Sequence, residues 1–473
     1  MNKIVKALFS FVVVGLLVLG GLVYLSNLTE RKESKAKFSD FYEQEEDFDV
    51  LFLGSSHTIN GVFPMELWND YGIVSYNMAV HAGRTTDSYW LLKNALEYTA
   101  PELVVIDCCL ISWNQKHTLT ENLHKSTNHI PFSKTKVEMI RDLVGDVDKQ
   151  WDFLWEFSTY HNRWNDLKQE DFDFQSSLEK GAESRIAVTV PSETVILDST
   201  QKIEEETIEM EYLRRIIEEC QEQEIEVLLT YLPFPDNGEG QEESNTVWDI
   251  AEEYNVNYLD YHTLMAQVNF DTDCYDKDSH LNPSGARKIT EYIGNYINSV
   301  YAIEDQRENE AYSHWHEDYK AYTQFKHDNI RNVNNLKTYL MLLKDKNLSY
   351  GIYLEKDLDM NTEQIINELL LNIGIDMVQV LEQDKCFVFV DNVNQNQGMI
   401  TISESMETYF GEISLIYNQE EELELIGLGD NRMVIDFDDD VAIVVFDNRT
   451  LSLVDQAKFR GDNPESNMER QND

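Results

Sequence analysis

The sequence predicts a three-layer α/β fold built on a parallel sheet, with one apolar helix before it and a smaller α+β unit after it. Three observations carry this. Five short apolar runs alternate with longer amphipathic stretches between residues 49 and 303, a charge-free segment stands near the amino terminus, and closely spaced short strands take over beyond about residue 304.

The charge-free segment comes first. Residues Ala7 to Leu25 match the roughly 20 apolar residues that a spanning helix needs. The sequence that follows, YLSNLTE, is a poor small-x-small cleavage site, so the run predicts an uncleaved anchor rather than a removed signal peptide. Arg31, Lys32, Lys35 and Lys37 follow it and outnumber Lys3 and Lys6 before it. That count alone would keep the globular part inside, but large following domains cross regardless of it. The expectation is residues 1–37 as anchor and linker, in a single-pass cell-membrane protein with its globular part outside the cytoplasm.

In the α/β unit, placed at 38–303, the apolar runs DVLFLG, IVSYNMAV, ELVVIDCCL, EIEVLLTYL and NVNYLDY read as strands. TDSYWLLKNALEY and QKIEEETIEMEYLRRIIEECQ have helical periodicity. Such alternation implies a parallel sheet with helices on both faces. Residues 117–184 break the pattern, being tryptophan-rich and polar, and read as a helical insertion of the kind that shapes a pocket or lid. From 304 to 460, SYGIYL, TEQIINELLLNIG and several short strands predict a mostly antiparallel α+β domain, and 461–473 reads as a disordered tail.

A length of 473 residues suits two folded units, and 42% hydrophobic residues are enough to give them cores. The formal charge of −49 argues against nucleic acid, whose binding draws on lysine and arginine displacing counterions. Five cysteines, two of them the adjacent Cys108 and Cys109 in an apolar run, give no disulfide framework and read as small apolar filler. No metal or organic cofactor is implied.

The chemistry gathers at the carboxyl ends of the strands, where parallel sheets collect their ligands. After the first strand, FLGSSHTINGVF places Gly54 at a tight turn and Ser55, Ser56 and His57 just beyond it. A nucleophilic serine needs a base, and the base needs an orienting partner. The stretch DCYDKDSHLNPSGARKITEYIG supplies His280 before a helix that Pro283 can open, with Asp276 and Asp278 close by. Each element alone is an ordinary polar turn. At the first and last strand ends of one sheet, the pair is far less expected by chance.

LGSSHT followed late by DSHLNPSGA resembles the SGNH/GDSL hydrolase superfamily over residues 49–303. The likeness is to its membrane-anchored extracytoplasmic branch, which includes proteins similar to alginate O-acetyltransferases and to the D-alanyl-transfer proteins of Gram-positive walls. The resemblance implies a flavodoxin-like three-layer sheet, with Ser56 as nucleophile and His280 as base. It also implies that the amides of Ser56 and Gly83, the latter in YNMAVHAGRT, hold the oxyanion. Two departures stand out. The usual Asp-x-x-His spacing falls on Lys277, so the acid is expected at Asp278, with Asp276 in reserve. The third-block asparagine is absent after ELVVIDCCL, and Asn114 comes a few residues late as a candidate third oxyanion donor.

His57 and His81 flank the expected pocket, as substrate contacts or as polar packing. Tyr160, His161, Arg163 and Trp164 in the insertion combine a cation with aromatics, which suits either a sugar or acyl-donor contact or helix packing. Asp107 and Trp113 read as structural. Segments of the C-terminal unit resemble ILEI/PANDER-type domains in permuted order, which implies a binding role. The resemblance as a whole implies a membrane-anchored serine O-acyltransferase or esterase that adds or removes acyl groups, acetyl foremost, on a cell-surface polysaccharide. Its implied partners are that glycan or another acylated substrate, the membrane, and a membrane-bound acyltransferase as donor. The competing expectation is a catalytically inactive scaffold that binds glycan or protein.

Overall fold

The structure is a computed structural model that describes residues 3–30, 32–115, 120–155, 157–172, 177–192, 199–234, 239–354, 358 and 360–372. Beyond these it describes 386–391, 399–402, 405–408, 411–417, 423–427, 431–435, 440–460 and 468–470.

The chain begins with α1 (Lys3–Thr29) and α2 (Lys32–Glu43). The window Leu8–Thr29 of α1 has a mean hydropathy of 2.6 and is long and apolar enough to span a membrane. The α/β unit then runs β1 (Val50–Leu53), α3 (Ser56–Gly61), α4 (Pro64–Tyr71), β2 (Ser75–Asn77), α5 (Thr85–Ala95) and β3 (Leu103–Asp107). The insertion follows with α6 (Thr120–Thr127), α7 (Lys134–Leu143), α8 (Gln150–Leu154), α9 (Phe157–Tyr160) and a 3-10 turn at His161–Asn165. The unit resumes with α10 (Ile208–Glu222), β4 (Glu226–Thr230), α11 (Glu239–Tyr254), β5 (Asn257–Leu259), α12 (Tyr261–Met265) and α13 (Pro283–Val300).

All five strands are parallel, in the order β2-β1-β3-β4-β5, the flavodoxin-like arrangement in which the chain reverses direction between β1 and β3. Every residue of β1 and β3 is buried. Both runs are apolar up to Asp107 at the end of β3, because helices cover both faces of the sheet. Leu51, Leu53, Val104 and Ile106 face one core, and Val50, Phe52, Leu103 and Val105 the other. Odd and even positions of a strand point to opposite sides, so two cores follow directly from the pleat.

The C-terminal part comprises α14 (His314–Asn332), α15 (Leu336–Leu342), β6 (Leu348–Leu354), α16 (Met360–Asn372) and strands β7 (Cys386–Asp391), β8 (Met399–Ile402) and β9 (Ser405–Thr408). It continues through β10 (Gly411–Tyr417), β11 (Leu423–Gly427), β12 (Asn431–Ile435), β13 (Val441–Asp447), β14 (Ser452–Phe459) and β15 (Met468–Arg470). These form a six-stranded sheet, β15-β14-β13-β6-β7-β8, and a four-stranded sheet, β12-β11-β10-β9, with every pairing antiparallel. Within the tail expected to be disordered, Met468–Arg470 instead pairs with β14, where the Arg470 guanidinium reaches Asp455 and the carbonyls of Ile330 and Val333. The rest of that tail, 461–467 and 471–473, lies outside the described residues.

The helix α14 belongs to both units. Its Trp315, Tyr319 and Tyr322 are buried in the core of the α/β unit, whereas Ile330 joins the core of the C-terminal one. Between them Lys326 bridges Glu66 at 2.9 Å and Asp345 at 3.0 Å.

Candidate active site

The turn after β1 is shaped by contacts that only glycine permits. Gly54 has φ of +152°, and a Cβ there would overlap the Thr58 hydroxyl and come within 2.8 Å of the Asp107 Cβ. The chain then enters α3, capped by Ser55, whose Oγ accepts the His57 amide at 3.2 Å. Ser56 is the first residue of α3, so its own N–H has no intrahelical carbonyl to bond.

Two side chains fasten this short helix. Asp107, at the end of β3, accepts Thr58 Oγ1 at 3.2 Å and the Leu232 amide at 3.1 Å, and burial raises its carboxyl above the ordinary range. Asn77, at the end of β2, donates to the carbonyls of Thr58 at 2.8 Å and Val62 at 3.0 Å.

The second loop arrives from the other end of the chain. Cys274 and Leu281 form an antiparallel bridge, and the Tyr275 amide donates to the His280 carbonyl at 2.9 Å. Ser279, at φ +67°, turns the chain between them. Asn282 caps α13 by accepting the amides of Ser284 and Gly285, and its Nδ2 donates to the carbonyls of Thr272, Cys274 and Ala187. One buried amide side chain thus joins the loop to the helix behind it.

This folding brings Ser56 Oγ to 2.8 Å from His280 Nε2, and His280 Nδ1 to 2.8 Å from Asp276 Oδ2. Asp276 Oδ1 also accepts the His280 amide at 3.1 Å. For Nε2 to accept from the serine, the hydrogen must sit on Nδ1 and be donated to Asp276. Ser56, His280 and Asp276 are each partly exposed, so the line is open to an incoming molecule.

The carboxylate that bonds the imidazole is therefore Asp276, where Asp278 was expected. Because Ser279 is left-handed, the loop folds back between 275 and 280 and returns position 276 to the imidazole. Asp278 is left at the exposed tip, where its amide donates to Asp276 Oδ1 at 3.1 Å.

The Gly83 amide, expected to face an oxyanion, is engaged elsewhere. The Gly83 amide donates to the Val80 carbonyl at 2.8 Å, closing a turn that has Ala82 at φ +53°. What requires glycine at 83 is close approach, since a Cβ there would lie 2.5 Å from the Gly54 carbonyl oxygen. Asn114 is exposed, and its Oδ1 accepts the Ile208 amide at 3.2 Å, at the start of α10. Among the described residues no acceptor meets the Ser56 amide, whereas that of Gly83 is taken by Val80; the bond at Asn114 uses its oxygen and not its Nδ2 donor.

His57 lies behind the line rather than in front of it as a substrate contact. It is buried and stacks on His280 with ring centroids 4.7 Å apart and planes 13° apart. Burial, with His280 alongside, outweighs the opposing pull of the Asp278 carbonyl and lowers its pKa to about 3. A neutral His57 lets His280 take up a proton without a second positive charge against it. Tyr275 also stacks on His280, at 5.6 Å.

His81 does border open space. It lies 3.4 Å from Glu183 in a cleft of about 630 Å³, whose walls include Lys37, Ile59, Val80, Glu183 and Arg185. His161, Arg163 and Trp164 of the insertion do not line this cleft. Arg163 donates to the carbonyl of Thr29 at 2.9 Å, to that of Glu30, and to Asp171 at 2.7 Å. His161 bonds the Ser158 carbonyl at 2.9 Å, and Trp164 is exposed. The cluster serves the end of α1 and not the serine, because the last carbonyls of a long helix lack partners and attract a guanidinium.

Cys109 is more than filler. Its Sγ is 3.1 Å from Ser55 Oγ and 3.2 Å from Asp107 Oδ2, inside the network that supports the serine turn, and burial beside Asp107 holds the thiol well above its ordinary pKa. The one signal in the sequence is its place two residues after the third strand.

No protein-family model matches the chain, and no curated protein matches it. Among solved structures, the chain is similar to a candidate acylhydrolase from Bacteroides fragilis NCTC 9343, at 12% identity and a TM-score of 0.30. The match covers 57% of this chain and 99% of the other. It is also similar to a candidate lipolytic protein of the G-D-S-L family from Desulfitobacterium hafniense DCB-2, at 13% identity and a TM-score of 0.28, over 52% of this chain and 97% of that one. At these scores the likeness adds no argument about the site, which rests on its own geometry.

Proposed function

We propose that the protein is a membrane-anchored serine esterase or O-acyltransferase that removes or adds acyl groups, acetyl foremost, on a cell-surface polysaccharide. The observation that carries this is the unbroken line Ser56 Oγ, His280 Nε2, His280 Nδ1, Asp276 Oδ2, with both gaps at 2.8 Å. In this reading Ser56 attacks an acyl carbonyl and its proton passes to His280. Asp276 holds the imidazole in the required tautomer and stabilises the imidazolium. The Ser56 amide faces the developing oxyanion. His280 returns the proton to the leaving alkoxide, and a second hydroxyl, from water or a sugar, releases the acyl group.

The open, largely polar-rimmed cleft that includes Ile59 of α3 and His81 has room for a bulky, polar substrate such as a glycan. The apolar α1 supports anchoring, and an anchored enzyme can receive acyl groups from a membrane-bound partner. The C-terminal unit takes a non-catalytic binding role.

The test is labelling of the full-length protein in detergent with a serine-directed fluorophosphonate, together with turnover of acetyl esters in the presence and absence of an oligosaccharide acceptor. Labelling that disappears in Ser56→Ala is expected; acceptor acetylation then marks a transferase, and hydrolysis alone an esterase. A second reading, the inactive scaffold, draws on the commitment of the Gly83 amide to Val80. Folded protein that neither labels nor turns over esters would favour it.

A further inference from the structure

We infer that the insertion rests on the lipid surface beside α1, as a second membrane contact that holds the catalytic edge at a set distance from the bilayer. The inference uses the reading of α1 as an anchor and extends it to a surface of the globular part.

The argument begins with length. The helix α9 and the 3-10 turn His161–Asn165 pack on α1, and Val23, Ser26, Asn27 and Glu30 share one cleft with Phe132, Leu154 and Trp155 of the insertion. At about 1.5 Å per residue, Val23 lies about 9 Å before Thr29 along the helix axis. A span that stopped short of Val23 would leave about 15 residues after Leu8, or about 22 Å, against a hydrocarbon core of about 30 Å. The last turns of α1 must therefore enter the membrane, and the insertion elements packed on them reach the headgroup level.

Those elements and the segments next to them carry side chains suited to that depth: Trp164 stands in the turn, Phe132 and Trp155 line the shared cleft, and Trp151 and Phe172 lie close by in sequence. Phe132 is 75% exposed, Trp151 70%, Trp164 65%, Phe172 60% and Trp155 46%, all within residues 132–172. Soluble surfaces seldom expose so many large aromatics in one region, whereas aromatic rings concentrate where hydrocarbon gives way to headgroups. Arg163 makes the arrangement rigid, since one guanidinium ties the turn that bears Trp164 to the carbonyls of Thr29 and Glu30 and to Asp171, the neighbour of Phe172. With a chain charge of −49, attraction to anionic lipid cannot supply the contact, so the rings must supply it.

The experiment places a nitroxide on the full-length protein in phosphatidylcholine nanodiscs, at Trp151→Cys, Trp164→Cys, Leu16→Cys within α1, and Leu451→Cys on the C-terminal unit. Collisions with oxygen, which partitions into lipid, are compared with collisions with a water-soluble nickel complex. The expected result is that positions 16, 151 and 164 favour oxygen, position 451 favours nickel, and the pattern survives high salt. If 16 favours oxygen while 151 and 164 behave like 451, the anchor stands and the platform is overturned. Shielding of 151 and 164 from both reagents would mean that protein covers the face, which also overturns it. A nickel-accessible position 16 overturns both anchor and platform.

Discussion

Asp276 holds His280 at two points: Oδ2 lies 2.8 Å from the ring Nδ1, and Oδ1 accepts the backbone amide at 3.1 Å. Four residues apart in a folded-back loop, carboxylate and imidazole form one unit that presents Nε2 to Ser56. Asp276→Asn should therefore lower ester turnover and fluorophosphonate labelling by about 10³–10⁴-fold, because the amide no longer enforces the tautomer. Asp278→Asn should leave both close to wild type. Reversal of that order would return the role to Asp278.

Gly54→Ala should destabilise the protein. The φ of +152° and the overlap with Thr58 leave the turn no relaxed alternative, and such backbone strain alone costs about 1–3 kcal/mol. Chemical denaturation should show the loss, with activity falling further as Ser56 shifts. An unchanged denaturation midpoint would mean that the turn tolerates a Cβ.

Asn282→Ala removes the cap of α13, worth about 1 kcal/mol, and takes the Nδ2 donor from the carbonyls of Thr272, Cys274 and Ala187. The expected outcome is a lower melting temperature and a lower kcat, as the loop that carries Asp276 and His280 loosens. A stability loss with kcat intact would show that the loop is held by other means.

His57 should give stability a pH dependence of known sign. Its folded pKa of about 3 lies below its ordinary 6.5, so between those values the unfolded chain binds a proton that the folded protein does not. Its contribution is complete above pH 6.5 and falls as pH drops, by up to about 1.4 kcal/mol per unit. The many carboxylates add their own slope, so the informative quantity is a difference. Compared with wild type, His57→Gln should lose less stability between pH 6.5 and 4.5 in equilibrium denaturation, and parallel curves would rule out a buried neutral His57.

The five parallel strands were legible because each is a continuous apolar run bounded by turns, and burial on both faces leaves no other pattern. Gly54, Ser56 and His280 were legible for a similar reason: a strand end followed by glycine and polar residues marks the carboxyl edge of such a sheet. The choice between Asp276 and Asp278 was not legible. It turns on the left-handed Ser279, a conformation that serine does not advertise. Gly83 was expected to offer its amide to an oxyanion, but that amide is spent on Val80, and the close approach to Gly54 becomes visible only when two loops meet.

Arg163 and Trp164 show the same limit at longer range. Their composition suited a sugar site, and only the packing of the insertion against α1 directed the guanidinium to helix-end carbonyls.

By itself, the sequence determined the layer architecture, the apolar amino-terminal helix and the two loops that carry Ser56 and His280, because burial periodicity and turn chemistry act over a few neighbouring residues. The tertiary structure alone decided which aspartate bonds the imidazole, which carbonyl takes the Gly83 amide and which part of the insertion meets α1. Those outcomes depend on distances between segments far apart in the chain, and no local preference encodes them.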